Sequence, residues 1–148
     1  MKLLHTSDWH LGMTYKGGIS YILDQKFVIQ KICDIAIKEK VDGILLAGDV
    51  FDKSVATNDA LKANNDIVNY ICGKLGIPMY IIAGNHDGSE RISQYDELVK
   101  KSGLYISGSL TKDPFVARQN DVDIYLLPWI STDKVRSVYP SLDRKSVV

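Results

Sequence analysis

Three apolar runs in this chain each lead straight into side chains that can bind a metal. Leu3-Leu4 leads to Asp8-Trp9-His10, residues 41–47 (VDGILLA) to Gly48-Asp49, and Met79 to Ala83 to Gly84-Asn85-His86-Asp87. A short, unbroken apolar run suits a strand covered on both faces, as in a parallel sheet. Between the runs the pattern is helical. From about Ile19 to Lys40, residues Ile22, Ile29, Ile32, Cys33 and Ala36 share one broad face, with Lys26, Lys31 and Lys38 turned away. Thr57-Asn58-Asp59 reads as a helix start, followed by Leu61, Val68, Ile71, Cys72 and Leu75, with Gly76 as the stop. A further helix is expected from Arg91 to Ser102, ended by Gly103, and a fourth strand from Leu104 to Ser107.

Strand and helix thus alternate through the first hundred residues, which predicts an α/β fold with a mostly parallel sheet core flanked by helices. Right-handed crossovers bring the carboxyl ends of such strands to one edge, where ligands bind. All three polar clusters leave strands at that edge. Their convergence is therefore expected from topology alone. Phe115 to Arg118 and Val122 to Leu127, separated by Gln119-Asn120-Asp121, read as a C-terminal antiparallel hairpin. Residues 1–130 form the folded unit in this reading, and 131–148 are a polar tail or the start of an unfinished element.

The remaining composition excludes more than it selects. A length of 148 residues fits one domain with a sizeable core. Lys plus Arg equals Asp plus Glu at 18 each, so bulk charge lends no support to nucleic-acid binding and leaves room only for a local basic patch. Lys134, Arg136, Arg144 and Lys145 read as solvated surface. Cys33 and Cys72 fit free thiols in a reducing compartment. With no signal-peptide core and no membrane-length run, a cytoplasmic location without membrane contact is expected.

Asp, His and Asn are ligands for hard and borderline divalent ions. Two such ions about 3.5–4 Å apart neutralise a phosphodiester and activate water. Asp8 and His10, spaced i and i+2, lie on one side of an extended segment and can reach one ion. Asp49 is the candidate bridging carboxylate, and Asn85 offers a neutral oxygen to a second ion. His86 is assigned to proton donation or transition-state stabilisation, with Asp87 orienting its imidazole. Blander roles compete elsewhere. His5 is expected to be a hydrogen-bonded core histidine and Trp9 a packing residue at the rim. Asp52 either supports the ligands or caps its loop. Each cluster alone could be a turn or helix cap.

Residues 5–12 (HTSDWHLG), 48–52 (GDVFD) and 83–87 (AGNHD) closely resemble the motifs of calcineurin-like metallophosphoesterases. Trp9, Leu11-Gly12, Phe51-Asp52-Lys53-Ser54, Ser89-Glu90-Arg91, Leu126-Leu127-Pro128-Trp129 and Val135-Arg136 narrow the resemblance to SbcD-type nuclease subunits of double-strand-break repair. The resemblance implies the calcineurin-like fold and a metal-dependent exonuclease and endonuclease acting on DNA ends. It implies Mn2+, with Mg2+ as the alternative, an SbcC-type ATPase partner and a homodimer. Asp8, His10, Asp49 and Asn85 match metal ligands, and His86 the catalytic histidine. The loop from Met13 to Gly18 matches the DNA-facing loop. The helices near Thr57 to Leu75 and Arg91 to Ser102 match the dimer face.

One departure stands out. Such families carry further metal-binding histidines downstream, two in a Gly-His-x-His motif, whereas no histidine follows His86. The expectation is an N-terminal, truncated part of a longer protein, with an incomplete second ion site and weak or no activity of its own. The alternatives are another calcineurin-like phosphoesterase acting on small phosphate esters, or an inert dimerising fragment.

Overall fold

A computed structural model describes residues 1–141. Four strands form one parallel sheet: β1 (Leu3–Thr6), β2 (Gly43–Ala47), β3 (Met79–Ile82) and β4 (Leu104–Ser107), in that spatial order. Their registers run Leu4↔Ile44, Ile44↔Met79 and Met79↔Leu104, so all carboxyl ends lie at one edge. A separate antiparallel hairpin, β5 (Phe115–Gln119) and β6 (Val122–Leu126), turns at Asn120-Asp121 with Asn120 at φ 53°. The α/β expectation, its parallel sheet and its C-terminal hairpin are all present.

The period-two alternation of each strand divides its side chains between two unlike covers. Leu4, Ile44, Leu46, Met79, Ile81, Leu104 and Ile106 pack with Ile29, Cys33 and Ala36 of α1 (Ile22–Glu39) and with Ile67 of α2 (Asn58–Val68). Each fully buried Ile, Leu or Met contributes about 1.5–3 kcal/mol to holding this layer. On the other face Leu45, Tyr80, Ile82 and Tyr105 meet Ala117, Ile124 and Leu126 of the hairpin, and Tyr80 and Tyr105 stack with ring centroids 5.0 Å apart.

Helix ends follow local chemistry. Thr57 Oγ1 accepts from the Ala60 amide at 3.3 Å and caps α2. α1 closes at Lys40, which takes a left-handed conformation at φ 49°. α2 runs into a π-helical stretch, Asn69–Lys74, in which the Leu75 amide reaches back to Tyr70, and Gly76 (φ 67°) ends it as expected.

Two expectations need correction. The single helix expected from Arg91 to Ser102 is instead α3 (Ser89–Ile92), α4 (Asp96–Val99) and a 3-10 turn (Lys100–Ser102). Tyr95 at φ 67° breaks it, since a left-handed residue cannot continue a right-handed helix. His5 is no core histidine. Its side chain lies on the hairpin face of the edge strand β1, where it is exposed beside Leu45, Tyr80 and Tyr125. In the stretch left open between a tail and the start of an element, Ser131 caps α5 (Thr132–Val138) by accepting from the Lys134 amide at 3.3 Å. Arg144 and Lys145 lie outside the described residues. Exposed apolar side chains include Leu23, Phe27, Val28 and Ile35 of α1, Leu61 of α2 and Leu98 of α4.

Candidate metal centre

The loops after β1 and β2 continue the sheet's pairing past its last residues. The Asp8 amide donates to the Gly48 carbonyl (3.1 Å), His10 to Asp49 (2.9 Å) and Leu11 to Val50 (2.9 Å), and the Asp52 amide returns to Leu11 (3.2 Å). This lacing holds the backbone where it would not go unaided. Asp8 (φ 56°), His10 (φ 43°) and Asp49 (φ 51°) all take positive φ without being glycine. Such residues cost of order 1–3 kcal/mol each and persist where surrounding contacts over-determine them.

The three strained residues are also the three whose ligand atoms meet. One ligand atom each from Asp8, His10 and Asp49 lies within 4.8 Å of the other two. His10 Nε2 stands 3.8 Å from Asp8 Oδ1 and 3.7 Å from Asp49 Oδ2. These separations are too long for hydrogen bonds. They are the spacings of donors directed at a common point between them. His10 Nδ1 is buried without a hydrogen-bond partner among the described residues, 3.7 Å from Asp52 Oδ1. A small closure would make Asp52 the carboxylate that orients the imidazole and raises its basicity. Two carboxylates, an aimed imidazole and a waiting outer carboxylate fit a divalent cation.

The third loop is fastened to the second by two carboxylates. Asp49 Oδ1 accepts from the His86 amide at 3.0 Å, while its Oδ2 faces His10, so each oxygen serves a different loop. Asp87, itself buried, accepts from the amides of Val50 (3.2 Å), Phe51 (3.0 Å) and Gly84 (2.9 Å). Gly84 has no side chain because there is no room for one: a Cβ would overlap the Asp49 carboxylate and amide. Gly48 (φ 83°) packs so near that its own Cβ would lie 2.9 Å from the Gly84 Cα.

His86 and Asn85 are exposed at the rim of this assembly. The His86 ring stands edge-on to His10, with centroids 4.9 Å apart. Its Nδ1–H donates to the Asp52 carbonyl at 2.8 Å, which leaves Nε2 for a ligand. That bond, followed by the negative charges of Asp49, Asp52 and Asp87, raises the His86 pKa above its ordinary value. The orienting partner is thus the Asp52 carbonyl. The expectation that Asp87 orients the ring gives way to a carboxylate committed to three backbone amides, acting on His86 only through its charge. Trp9 is buried at the rim as expected, its indole N–H donating to Thr6 Oγ1 at 3.1 Å.

Sequence reasoning missed the two contacts of Asp52 and the packing demand at Gly84. A glycine directly before Asn-His-Asp was the available signal for the second. The loop from Met13 to Gly18 bulges outward, with Met13 and Tyr15 exposed and Gly17 and Gly18 at φ 89° and 80°. Among the described residues no helix is long and apolar enough to cross a membrane.

A family model described as calcineurin-like phosphoesterase matches residues 1–145. The chain belongs to the calcineurin-like phosphoesterase family. Metal dependence is a property of this family, and in this chain Asp8, His10 and Asp49 form a cluster that could hold a metal ion. Curated relatives include the SbcD subunit of nuclease SbcCD from Staphylococcus saprophyticus, 31% identical over 136 residues that span 92% of this chain and 36% of the relative. The protein of the same name from Staphylococcus epidermidis is 31% identical over 139 residues, 94% of this chain and 37% of the relative. The chain therefore spans little more than a third of the length of these relatives.

Proposed function

We propose that this chain carries the cation-binding part of a phosphodiesterase acting on DNA ends, as a nuclease subunit of the kind its relatives are named for. The observation that carries this reading is the meeting of Asp8, His10 and Asp49 at a strained, doubly laced loop pair. A divalent cation held there, Mn2+ or else Mg2+, supplies charge neutralisation for a bound phosphate and acidifies water. Asp8, His10 and Asp49 would hold it, and Asn85 would offer a neutral oxygen to a second ion. His86, fixed through Nδ1 and held toward its protonated form, presents Nε2 to a phosphate oxygen and donates the proton that the leaving alkoxide needs. Asp87 contributes by keeping the second and third loops together. The catalytic pair in this reading is His86 acting directly and Asp87 acting through position.

The described residues bring fewer ligands to the second ion than to the first. The chain by itself is accordingly expected to bind Mn2+ at one site or weakly and to degrade DNA poorly. Calorimetric titration with Mn2+ tests this, and two tight sites would contradict it. The partners proposed are DNA ends, an SbcC-type ATPase and a second copy of the chain, in the cytoplasm. Sedimentation at micromolar concentration giving only monomer would count against the homodimer. A substrate panel separates DNA ends from small phosphate esters, and hydrolysis of the esters alone would end the nuclease reading.

A further inference from the structure

Gln25 stands in the inward stripe of α1, between Ile22 and Ile29, where its neighbours at helical spacing are apolar. Its carboxamide reaches out of the helix onto the loop that carries two of the cation ligands. Nε2 donates to the Trp9 carbonyl at 3.1 Å and to the His10 carbonyl at 2.6 Å. Oε1 accepts from the Gly12 amide at 3.2 Å. One side chain thus fastens three backbone groups within four residues, spanning His10 (φ 43°) and Gly12 (φ 90°) and adjoining Asp8 (φ 56°).

We propose that Gln25 is a positioning residue for the cation site: it holds the Asp8–Gly12 turn in its left-handed conformation and so sets where His10 Nε2 points. The backbone lacing to residues 49–50 holds the amide side of the two peptides that flank His10, and Gln25 holds the carbonyl side of the same two peptides, sharing the His10 carbonyl with the Met13 amide at 3.0 Å. A peptide held on one side only can still swivel about its own axis and let φ relax, whereas one held on both sides cannot. Carboxamide chemistry is specific to the task. Two N–H donors and one acceptor meet two carbonyls and one amide, which neither a carboxylate nor an ammonium can do. Asparagine, one methylene shorter, falls short of the turn from the helix. The residue touches no cation and no substrate in this scheme, and it rests on the cation reading of Asp8, His10 and Asp49.

The test uses Gln25→Met, which keeps shape without polarity, and Gln25→Glu, which keeps the acceptor but sets an anion against two carbonyls. Amide hydrogen exchange in EDTA reads the turn directly, and Mn2+ titration followed by paramagnetic broadening at residues 8–12 and 49 reads the site. The expected result for Gln25→Met is at least about tenfold faster exchange at Gly12, with α1 and the sheet unchanged. Both variants are expected to bind Mn2+ about 10–100-fold more weakly, as when an outer partner of a ligand is removed. Unchanged Gly12 exchange in Gln25→Met, or Mn2+ affinity within threefold of wild type in both variants, would overturn the proposal. So would failure of both variants to fold, which would make Gln25 a general architectural residue. Wild-type chain showing no broadening at Asp8, His10 or Asp49 would instead sink the cation reading, and faster Gly12 exchange would still establish Gln25 as the anchor of the turn.

Discussion

The two halves of the candidate centre are built to different standards. Around Asp8, His10 and Asp49, backbone lacing, strain and outer partners all converge, and Asp49 is buried. Around Asn85 and His86 the backbone is equally well fastened, through Asp49 Oδ1 and Asp87, yet both side chains stand exposed. The difference matches the two jobs proposed for them. Cation affinity depends on ligand number and rigidity, which the first half has. Proton transfer to a visiting phosphate needs reach and access, which the second half has. Carboxylates join the halves, so damage to the joint should reach both while damage to either side should stay local.

The joint offers the largest effect. Asp87→Ala would leave the amides of Val50, Phe51 and Gly84 without their acceptor, and a loss of about 3–5 kcal/mol in urea-denaturation stability is expected, with Mn2+ binding lost alongside. Gly84→Ala should follow at about 3 kcal/mol, because the added Cβ would overlap the Asp49 backbone nitrogen, which cannot swing aside, as well as the Asp49 carboxylate. A Gly84→Ala protein as stable as wild type would show that the two loops are not in the contact described.

The contrast between halves is sharpened by ligands taken singly. Asp49→Asn is expected to weaken Mn2+ binding by about a hundredfold in calorimetry, whereas Asn85→Ala should change the tighter site by less than about threefold. Equal losses would erase the distinction. The smallest effect is electrostatic. The pKa of His86 is raised in the folded state by its bond to Asp52 and then by the surrounding carboxylates. Its contribution to stability is therefore complete below the unfolded value near 6.5 and is lost as pH rises through the folded value. In EDTA, wild type should lose stability relative to His86→Gln across that window, and parallel pH profiles would refute the assignment.

Much of this site can be read before any coordinates. The loops that carry Asp8, His10, Asp49, Asn85 and His86 leave the sheet at one edge because its strands are parallel, an argument that needs only the alternation of apolar runs and helices. Three kinds of feature resist. The left-handed conformations at Asp8, His10 and Asp49 carry no glycine to announce them, since tertiary hydrogen bonds impose them against local preference. The partners of Asp87 are backbone amides and Asp52 holds His86 through its backbone carbonyl, and backbone groups have no signature in a list of side chains. The break at Tyr95 and the π-helical turn after α2 likewise arise from packing and not from composition. Gln25 is legible in principle: a carboxamide in the middle of an otherwise apolar helical stripe asks for a polar partner.

The lacing between the first two loops is in phase with the sheet itself, following directly from the pairing of Thr6 with Leu46. A slip of β1 by two residues would keep every side chain on its own face of the sheet. It would also turn each of His10's bonds toward the wrong peptide and swing the imidazole away from both carboxylates. Capacity to hold a cation thus works as a test of strand alignment, passed only by molecules in which the first two strands have locked in the native frame.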